Sequence, residues 1–307
     1  MGQGEQGAVA RGAFDMVQPG AEGQEDKPKP CKFEGECDDL GRPHGKGYMV
    51  YASDGSEFDG VFDHGRRKKG KLTLKDGRVY EGEFNEGSEP HGQGKWIEPL
   101  GVYEGEFEEG WFVKGEVHYT DKGYFSGRMK EGMRHGENCE FRFPDGDSFK
   151  GEFFEDSFKE GTFESVDGVF YQGTFENDMK HGQGQYRLKG QVEYEGGFKE
   201  DEFHGFGKLT NFKKNSYYEG TFNMGEKEGK GELRENGGAV YEGEFRGNMK
   251  NGHGKYTVKS KKYEGEFRDN LFHGQGHLDY GNGDEYTGEF SHGKRDGKGK
   301  LILARLR

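Results

Sequence analysis

The stretch YEGEFRDNLFHGQGHLDY, residues Tyr263 to Tyr280, alternates large rings with glycine and charged side chains. In YEGEF a period of two puts Tyr263, Gly265 and Phe267 on one side of an extended chain and both glutamates on the other. After a short polar link the alternation resumes in GQGHLDY. It predicts a second strand with one side formed by Gly274, Gly276, Leu278 and Tyr280.

This stretch is one copy of a unit that fills most of the chain. The form ring-x-Gly-x-ring, or a near variant, recurs twelve times with a spacing of 22 to 25 residues. The copies begin at Phe33, Phe58, Tyr80, Tyr103, Phe125, Phe149, Tyr171, Tyr194, Tyr218, Tyr241, Tyr263 and Tyr286. Asp-Gly or Asn-Gly separates many of them, as at Asp76-Gly77, and such pairs tolerate the positive φ angles of tight hairpin turns.

The alternation of rings and glycines suggests how such hairpins stabilise one another. A glycine within a strand costs roughly 1 kcal/mol unless a neighbouring ring lies across it. An isolated hairpin is marginal in water, whereas stacked copies supply the missing neighbours. We therefore expect an all-β fold, an extended, twisted, single-layer antiparallel sheet (a half-pipe) of stacked β-hairpin repeats.

The repeated residues resemble the MORN repeat (membrane occupation and recognition nexus), whose pattern reads approximately YxGxFxxxxxHGxGxxxxxxG. YQGTFENDMKHGQGQY, from Tyr171, and YEGEFRDNLFHGQGHL, from Tyr263, match nearly position by position. The resemblance implies a twisted antiparallel sheet of stacked hairpins, in agreement with the pattern. In copies two, four and six the second glycine is interpreted as replaced, by Leu72, Val117 and Phe163.

Composition and charge restrict the organisation and the partners. Residues 1–32 hold almost no rings and predict a flexible tail, residues 33–304 the repeat array, and residues 305–307 a short C-terminal end. The formal net charge of −13 argues against nucleic acid as a partner. No apolar run is long enough to span a bilayer, and the three cysteines lack CxxC spacing, so we expect a cytoplasmic protein without disulfides.

The recurring histidines and glutamates are predicted to be structural. The histidines precede a glycine at the same point of each copy, too far apart to share one metal ion; they are His44, His91, His135, His181, His204 and His273. The glutamate pairs lie opposite the rings on a solvated face; they are Glu81 with Glu83, Glu104 with Glu106, Glu242 with Glu244, and Glu264 with Glu266. We expect no catalytic, cofactor-binding or metal-binding residues, and no enzyme activity.

Two groups of side chains are candidates for binding. Rings on one face are expected to line or support a groove that takes a helix or peptide; they are Tyr80, Phe84, Tyr103, Phe107, Tyr171, Phe175, Tyr241, Phe245, Tyr263 and Phe267. A basic run in the expected loop of copy two is a candidate contact for anionic lipid or an acidic protein surface; it comprises Arg66, Arg67, Lys68, Lys69 and Lys71.

The resemblance implies a non-catalytic structural scaffold that binds other proteins. Stand-alone arrays of this family look like components of cilia and flagella, including radial-spoke-head-type proteins, or of the cortical cytoskeleton. The expected location is therefore a ciliary or flagellar axoneme or another cytoskeletal assembly. The exposed edges of the sheet also allow a homo-dimer. The alternative is a phospholipid-binding membrane-contact or tethering module with weak membrane contact, as members resembling junctophilins suggest.

Overall fold

The computed structural model describes residues 32–304, which form 25 β-strands and no helix. The chain divides into two compact units, Met1–Ser157 and Phe158–Arg307. The predicted tail lies outside the described residues, except that Lys32 begins β1, and residues 305–307 lie outside them too. In the described part there is no helix of the length and apolarity needed to cross a bilayer.

The strands of the N-terminal unit are β1 (Lys32–Cys37), β2 (Pro43–Val50), β3 (Glu57–Asp63), β4 (Arg66–Thr73), β5 (Val79–Phe84), β6 (Pro90–Glu98), β7 (Gly101–Glu108), β8 (Trp111–Tyr119), β9 (Tyr124–Lys130), β10 (Met133–Arg134), β11 (Gly136–Arg142) and β12 (Ser148–Phe154). Each strand up to β9 pairs antiparallel with the next. After β9 the order changes, because β9 pairs with both β10 and β11, and β11 pairs with β12.

From the boundary onward the strands are β13 (Ser157–Glu164), β14 (Val169–Glu176), β15 (Met179–Leu188), β16 (Val192–Lys199), β17 (Glu202–Asn211), β18 (Ser216–Asn223), β19 (Glu226–Glu235), β20 (Ala239–Arg246), β21 (Met249–Val258), β22 (Lys261–Arg268), β23 (Leu271–Asp279), β24 (Glu285–Ser291) and β25 (Lys294–Ile302). Consecutive strands pair antiparallel throughout this set. The predicted fold class, an all-β antiparallel sheet of stacked hairpins, is confirmed.

Two kinds of turn connect the strands. Within copy eleven, Asp269 and Asn270 have φ angles of 51° and 68°, as a two-residue type I′ turn requires. Between copies the turn is longer: the Gly77 N–H donates to the Leu74 carbonyl at 3.0 Å, and only Gly77 adopts a positive φ, of 90°. The Asp-Gly pairs therefore close the longer turns between copies, and the tight turns lie inside the copies.

The core consists of rings lying on the glycines of their own sheet. Tyr263 is 1% exposed, and its ring covers Gly265 and Gly276, which face each other on β22 and β23. The Tyr263 hydroxyl donates a hydrogen bond of 2.9 Å to the carbonyl of Glu266. The ring thus fills the space left by two absent side chains, and its one polar atom has a partner.

Edge-to-face ring contacts join each copy to the next. Phe267 meets Tyr263 of its own copy at 5.1 Å between ring centroids and Tyr241 of the preceding copy at 4.8 Å. Phe290 of the following copy meets Tyr263 at 5.1 Å. Each such pair contributes about 0.5–1.5 kcal/mol beyond area burial. The row of alternating Tyr and Phe therefore forms one continuous core within the C-terminal unit.

A β-bulge in the second strand changes the predicted role of one glycine. Gly265 pairs with Gly276, but Glu266 pairs with His273, so Gly274 and Gln275 are extra residues on β23. Gly274 has a φ of 53°, and a Cβ there would meet the Glu266 carboxylate rather than a ring. The prediction that Gly274 shares a side with Gly276 is therefore wrong, because the strict period of two is broken at the bulge.

The same register corrects the interpretation of copies two, four and six. Gly70 pairs with Gly60 and Leu72 with Phe58, so Leu72 occupies the position of Leu278 rather than of a glycine. Val117 pairs with Tyr103 in the same way, and Phe163 pairs with Tyr171 of the next copy as Leu72 pairs with Tyr80. Copy two keeps Gly70 under the Phe58 ring. In place of the left-handed glycine of the bulge the three copies have Lys68, Val113 and Lys159.

Polar bonds from the tight turns also tie each copy to the preceding one. The Asn270 side-chain oxygen accepts from the Lys250 N–H at 2.9 Å, and the Asn270 N–H donates to the Lys250 carbonyl at 3.0 Å. Asp201 makes the same pair of bonds with Lys180 at 2.9 and 3.1 Å. The left-handed second residue of the turn thus serves both the turn and the contact between copies.

Candidate functional site

The ten rings proposed as a partner groove are mostly core residues. Nine of them are no more than 9% exposed, and Phe175 is half-buried. They pack on glycines and on one another, as Tyr171 does with Phe198 at 5.0 Å. Of the two roles expected from the sequence, the structure shows these rings supporting the face rather than lining it. Their part in partner binding stays a prediction.

A second row of side chains lies over the buried tyrosine rings and covers them on the ring side of the sheet. Phe272 stacks on Tyr263 with centroids 3.8 Å apart and an interplanar angle of 8°. In the preceding copy the equivalent position is Lys250, whose Nζ lies 5.5 Å from the centre of the Tyr241 ring and 2.7 Å from a Glu235 carboxylate oxygen. A ring or a lysine stem occupies this position in each of these copies, and both cover the tyrosines from water.

The opposite, polar side of the C-terminal unit holds an open groove of about 550 Å³. It crosses the strands from Phe206 on β17 to Glu264 on β22. A side chain at the glycine positions would point to the ring side, so on the polar side bare backbone lies between two rows of polar side chains. The floor is formed by Gly220, Gly231, Gly243, Gly254 and Gly265.

Carboxylates dominate the walls of this groove. The acidic residues are Glu219, Glu232, Glu242, Glu244 and Glu264, and the basic ones are Lys230 and Lys255, with His253 between them. Lys255 lies 3.2 Å from Glu264. A hydrogen bond from the Tyr217 hydroxyl, 2.5 Å long, holds the pKa of the Glu219 carboxyl below its usual value. Since carboxylates outnumber lysines, the groove attracts cationic groups.

The two glutamates of a copy have different surroundings, which the sequence pattern does not distinguish. Glu264 is exposed at the wall of the groove. Glu266 folds over the bulge, where its carboxylate accepts from the Gln275 N–H at 3.0 Å. A Cβ on Gly274 would lie 2.4 Å from that carboxylate. Glu264 thus pairs with Lys255 but remains exposed to solvent, whereas Glu266 stabilises the bulge.

Two of the histidines that were predicted to be structural lie at β-bulges. His181 precedes Gly182 and His273 precedes Gly274, both glycines having positive φ angles. The carbonyl of His181 accepts a bond from the Thr174 hydroxyl at 2.5 Å, and the carbonyl of His273 accepts one from Tyr263 at 3.3 Å. The main chain at these two histidines is thus part of the bulge.

The basic run lies in strand β4 and not in a loop, which corrects the expectation. Its residues are extended, but a β-bulge at Lys68 breaks the alternation, so Arg67 and Lys69 lie on opposite faces. The Arg67 guanidinium lies 5.2 Å from the centre of the Phe84 ring and donates to the Ser88 carbonyl at 2.9 Å. Lys69 lies 3.4 Å from a Glu83 oxygen. The five charges therefore do not form one patch, which weakens the case for a lipid contact.

One group of ligand-type side chains within residues 32–304 has donor atoms close enough for a shared metal ion. The ligand atoms of His44, Asp63 and His64 lie within 4.8 Å of one another, and all three residues are exposed. The sequence predicted no metal ligands, because the spacing of the histidine ladder was considered without the turn residues of the next copy. His64 belongs to such a turn, with a φ of 48°.

Comparison with known families gives a match to the repeat. A family profile described as "MORN repeat" matches eight segments, which together cover about half of the chain. They are residues 40–56, 125–148, 171–189, 194–212, 218–238, 241–258, 263–285 and 286–304. The comparison with curated protein sequences gave no match.

Comparison with solved structures gives distant similarities. The TCP10 domain of CPAP from Danio rerio has a TM-score of 0.23 and 13% identity, over 83% of this chain and 97% of that domain. The TCP domain of SAS-4 (dCPAP) from Drosophila melanogaster, solved in complex with a proline-rich motif of Ana2 (dSTIL), has a TM-score of 0.17 and 11% identity. That similarity covers 69% of this chain and 83% of the domain.

Proposed function

The chain belongs to the MORN-repeat family, and on this basis we propose that it is a non-catalytic scaffold that binds other proteins in a ciliary axoneme or another cytoskeletal assembly. The observation that carries the proposal is the acidic groove on the polar side of the C-terminal unit. The groove is open, lies outside the ring core, and offers charged side chains along several copies. A tagged protein that stays diffuse in ciliated cells and is fully extracted by detergent would contradict the cytoskeletal setting.

The size of the groove limits its occupant. It spans six strands, from β17 to β22, which at about 4.8 Å per strand gives roughly 24 Å. An occupant along it crosses the strands, whose backbone groups already bond to each other. The floor therefore offers a partner little main-chain hydrogen bonding. A helix, which satisfies its own backbone, fits this requirement, and about 16 residues span the groove.

The walls define the chemistry of the partner helix. Glu242 and Glu264 are exposed and pair well with arginine, whose planar guanidinium matches a carboxylate. Phe206, 60% exposed at one end, offers an apolar contact. The partner is thus an amphipathic helix with arginines along one face and an apolar residue near its end. This places the binding surface on the polar side, opposite the rings.

A direct test uses a labelled 18-residue alanine-based helix with arginines along one face, measured by fluorescence anisotropy. In the double variant Glu242→Lys/Glu264→Lys the affinity is expected to fall at least about tenfold, because two attractive contacts become repulsive. The matched control is Glu81→Lys/Glu104→Lys, which alters the same repeat position outside the groove and changes the net charge equally. Equal losses in both variants, or no binding by the unaltered chain, would refute the groove as the partner surface.

A further inference from the structure

His44, Asp63 and His64 come together although they belong to two copies. His44 lies in β2 of copy one, Asp63 ends β3 of copy two, and His64 is the first residue of the following tight turn. The Asp63 Oδ1 lies 2.7 Å from His64 Nδ1 and 3.5 Å from His44 Nδ1. The two imidazole rings have centroids 4.6 Å apart. Three donor atoms thus converge on one point at the surface.

The main chain holds this arrangement in place. The turn at His64 is tied to β2 by a bond of 2.7 Å from the Gly65 N–H to the Pro43 carbonyl. The His64 N–H also approaches His44 Nδ1 at 3.4 Å. Stacking of copy two on copy one therefore brings the histidines together. The side chains themselves are exposed, with room for rotation and for water.

We infer that His44, Asp63 and His64 form a binding site for a divalent metal ion of the zinc type, which joins copy one to copy two. Two imidazole nitrogens and one carboxylate oxygen are ligands that zinc accepts, with water in the remaining position. In a tetrahedral site with bonds of about 2.1 Å the donor atoms lie about 3.4 Å apart. The donors here lie within 4.8 Å of one another, so small side-chain rotations complete the geometry.

The ordinary alternative is a hydrogen-bonded His–Asp pair on a protein surface. The Asp63 carboxylate and His64 Nδ1 are 2.7 Å apart, as in such a pair. The positive charge of Lys68 also acts on Asp63 and opposes cation binding. A second histidine beside the same carboxylate is what distinguishes a metal site from a simple pair, because both nitrogens face one oxygen.

Copy twelve provides a comparison within the chain. His273 and His292 occupy the positions of His44 and His64, and Gly293 bonds to Phe272 as Gly65 does to Pro43. Ser291 stands where copy two has Asp63, and the two rings are 6.2 Å apart. The same backbone therefore carries the two histidines without the carboxylate. This makes the carboxylate the testable element.

The test is titration of the full-length chain with Co²⁺, whose visible absorption reports zinc-type sites, followed by displacement with Zn²⁺. Cys31 and Cys37 are replaced by serine throughout so that thiolates do not compete. One Co²⁺ per chain is expected to bind, and Zn²⁺ should raise the melting temperature. Asp63→Ser, which copies the residue of copy twelve, and His64→Asn, which tolerates the left-handed turn, should each weaken binding at least about tenfold.

The controls act at the other end of the array. His292→Asn should leave the affinity unchanged, and Ser291→Asp should raise the stoichiometry from one ion to two, because it supplies the missing carboxylate. Circular dichroism of each variant confirms folding. If the chain binds no Co²⁺, or if Asp63→Ser and His64→Asn bind as tightly as the unaltered chain, these residues are not a metal site.

Discussion

Replacing Gly276 with alanine is expected to lower the free energy of unfolding of the C-terminal unit by about 3 kcal/mol, although only one methyl group is added. A Cβ at this position would lie 2.4 Å from the Tyr263 hydroxyl oxygen and 2.6 Å from two ring carbons. Tyr263 is fixed by Phe267 and Phe272, so it has no space to retreat. The loss is measured by urea unfolding followed by circular dichroism.

Removal of the Tyr263 ring tests whether the clash with this ring causes the loss of stability. Gly276→Ala should cost much less in a Tyr263→Ala background, because the three nearest atoms to the new Cβ all belong to Tyr263. Gly265→Ala should not be rescued in this way, because its Cβ would meet the Gln275 carbonyl at 2.5 Å. Gly87→Ala in the N-terminal unit serves as the mild control, because its Cβ would come no closer than 3.2 Å to a neighbouring atom, the Asn85 side-chain oxygen. Additive effects of the Gly276 and Tyr263 substitutions would argue against ring packing as the cause.

The fold was predictable because the sequence repeats a short-range rule twelve times. The period of two in YEGEF places Tyr263 and Phe267 on one face and Glu264 on the other, as the structure has them. Recurrence of this segment indicated that each hairpin finds its neighbours in the adjacent copies. Covering of strand glycines by rings was also expected, but from a neighbouring strand, whereas Tyr263 covers Gly265 of its own strand and Gly276 of the same copy.

The details that the sequence did not provide depend on register. Gly274 and Gly276 look equivalent in HGQG, yet one turns the chain at a bulge and the other lies under a ring. Leu72 was interpreted as a lost glycine because the copies were aligned by sequence position, whereas strand pairing aligns Leu72 with Leu278. A single extra residue in one strand cannot be assigned to a conformation without its partner strand.

The candidate sites were harder to predict than the fold for the same reason. The basic run looked like one patch, but a β-bulge at Lys68 sends Arg67 to the ring side and leaves Lys69 beside Glu83. His44 and His64 are twenty residues apart and meet only because adjacent copies stack. The groove depends on where the glutamates point, and in copy eleven Glu264 lines it whereas Glu266 is held at the bulge.

Alkaline pH is expected to unfold the C-terminal unit before the N-terminal one. Burial raises the pKa of Tyr194 and Tyr263 to about 12, and it also raises those of Tyr171, Tyr218 and Tyr241. In the unfolded chain a tyrosine has a pKa near ~10. The contribution of these tyrosines to the free energy of unfolding is therefore fully present below about pH 10. It is lost as the pH rises toward the folded-state pKa values, because in that range only the unfolded chain releases its phenolic protons.

The size of the alkaline destabilisation follows from the thermodynamic linkage between proton release and unfolding. Each buried tyrosine removes about 1.4 kcal/mol per pH unit between the two pKa values, so five of them remove about 7 kcal/mol per unit. A typical domain has only about 5–15 kcal/mol of stability. In the N-terminal unit burial raises the pKa of three tyrosines, Tyr80, Tyr103 and Tyr119. The effect is smaller there, because phenylalanine, which has no proton to release, occupies the equivalent ring position at Phe58, Phe125 and Phe149.

The two units have separate optical signals for this experiment. Both tryptophans, Trp96 and Trp111, lie in the N-terminal unit, so their fluorescence reports that unit, whereas phenolate absorbance reports mainly the C-terminal one. The absorbance transition should occur at lower pH than the fluorescence transition. Tyr241→Phe and Tyr263→Phe should shift the absorbance transition to higher pH, because each removes one titrating group while keeping the ring on its glycines. Coincident transitions, or variants that leave the midpoint unmoved, would show that these hydroxyls do not control the alkaline stability of the C-terminal unit.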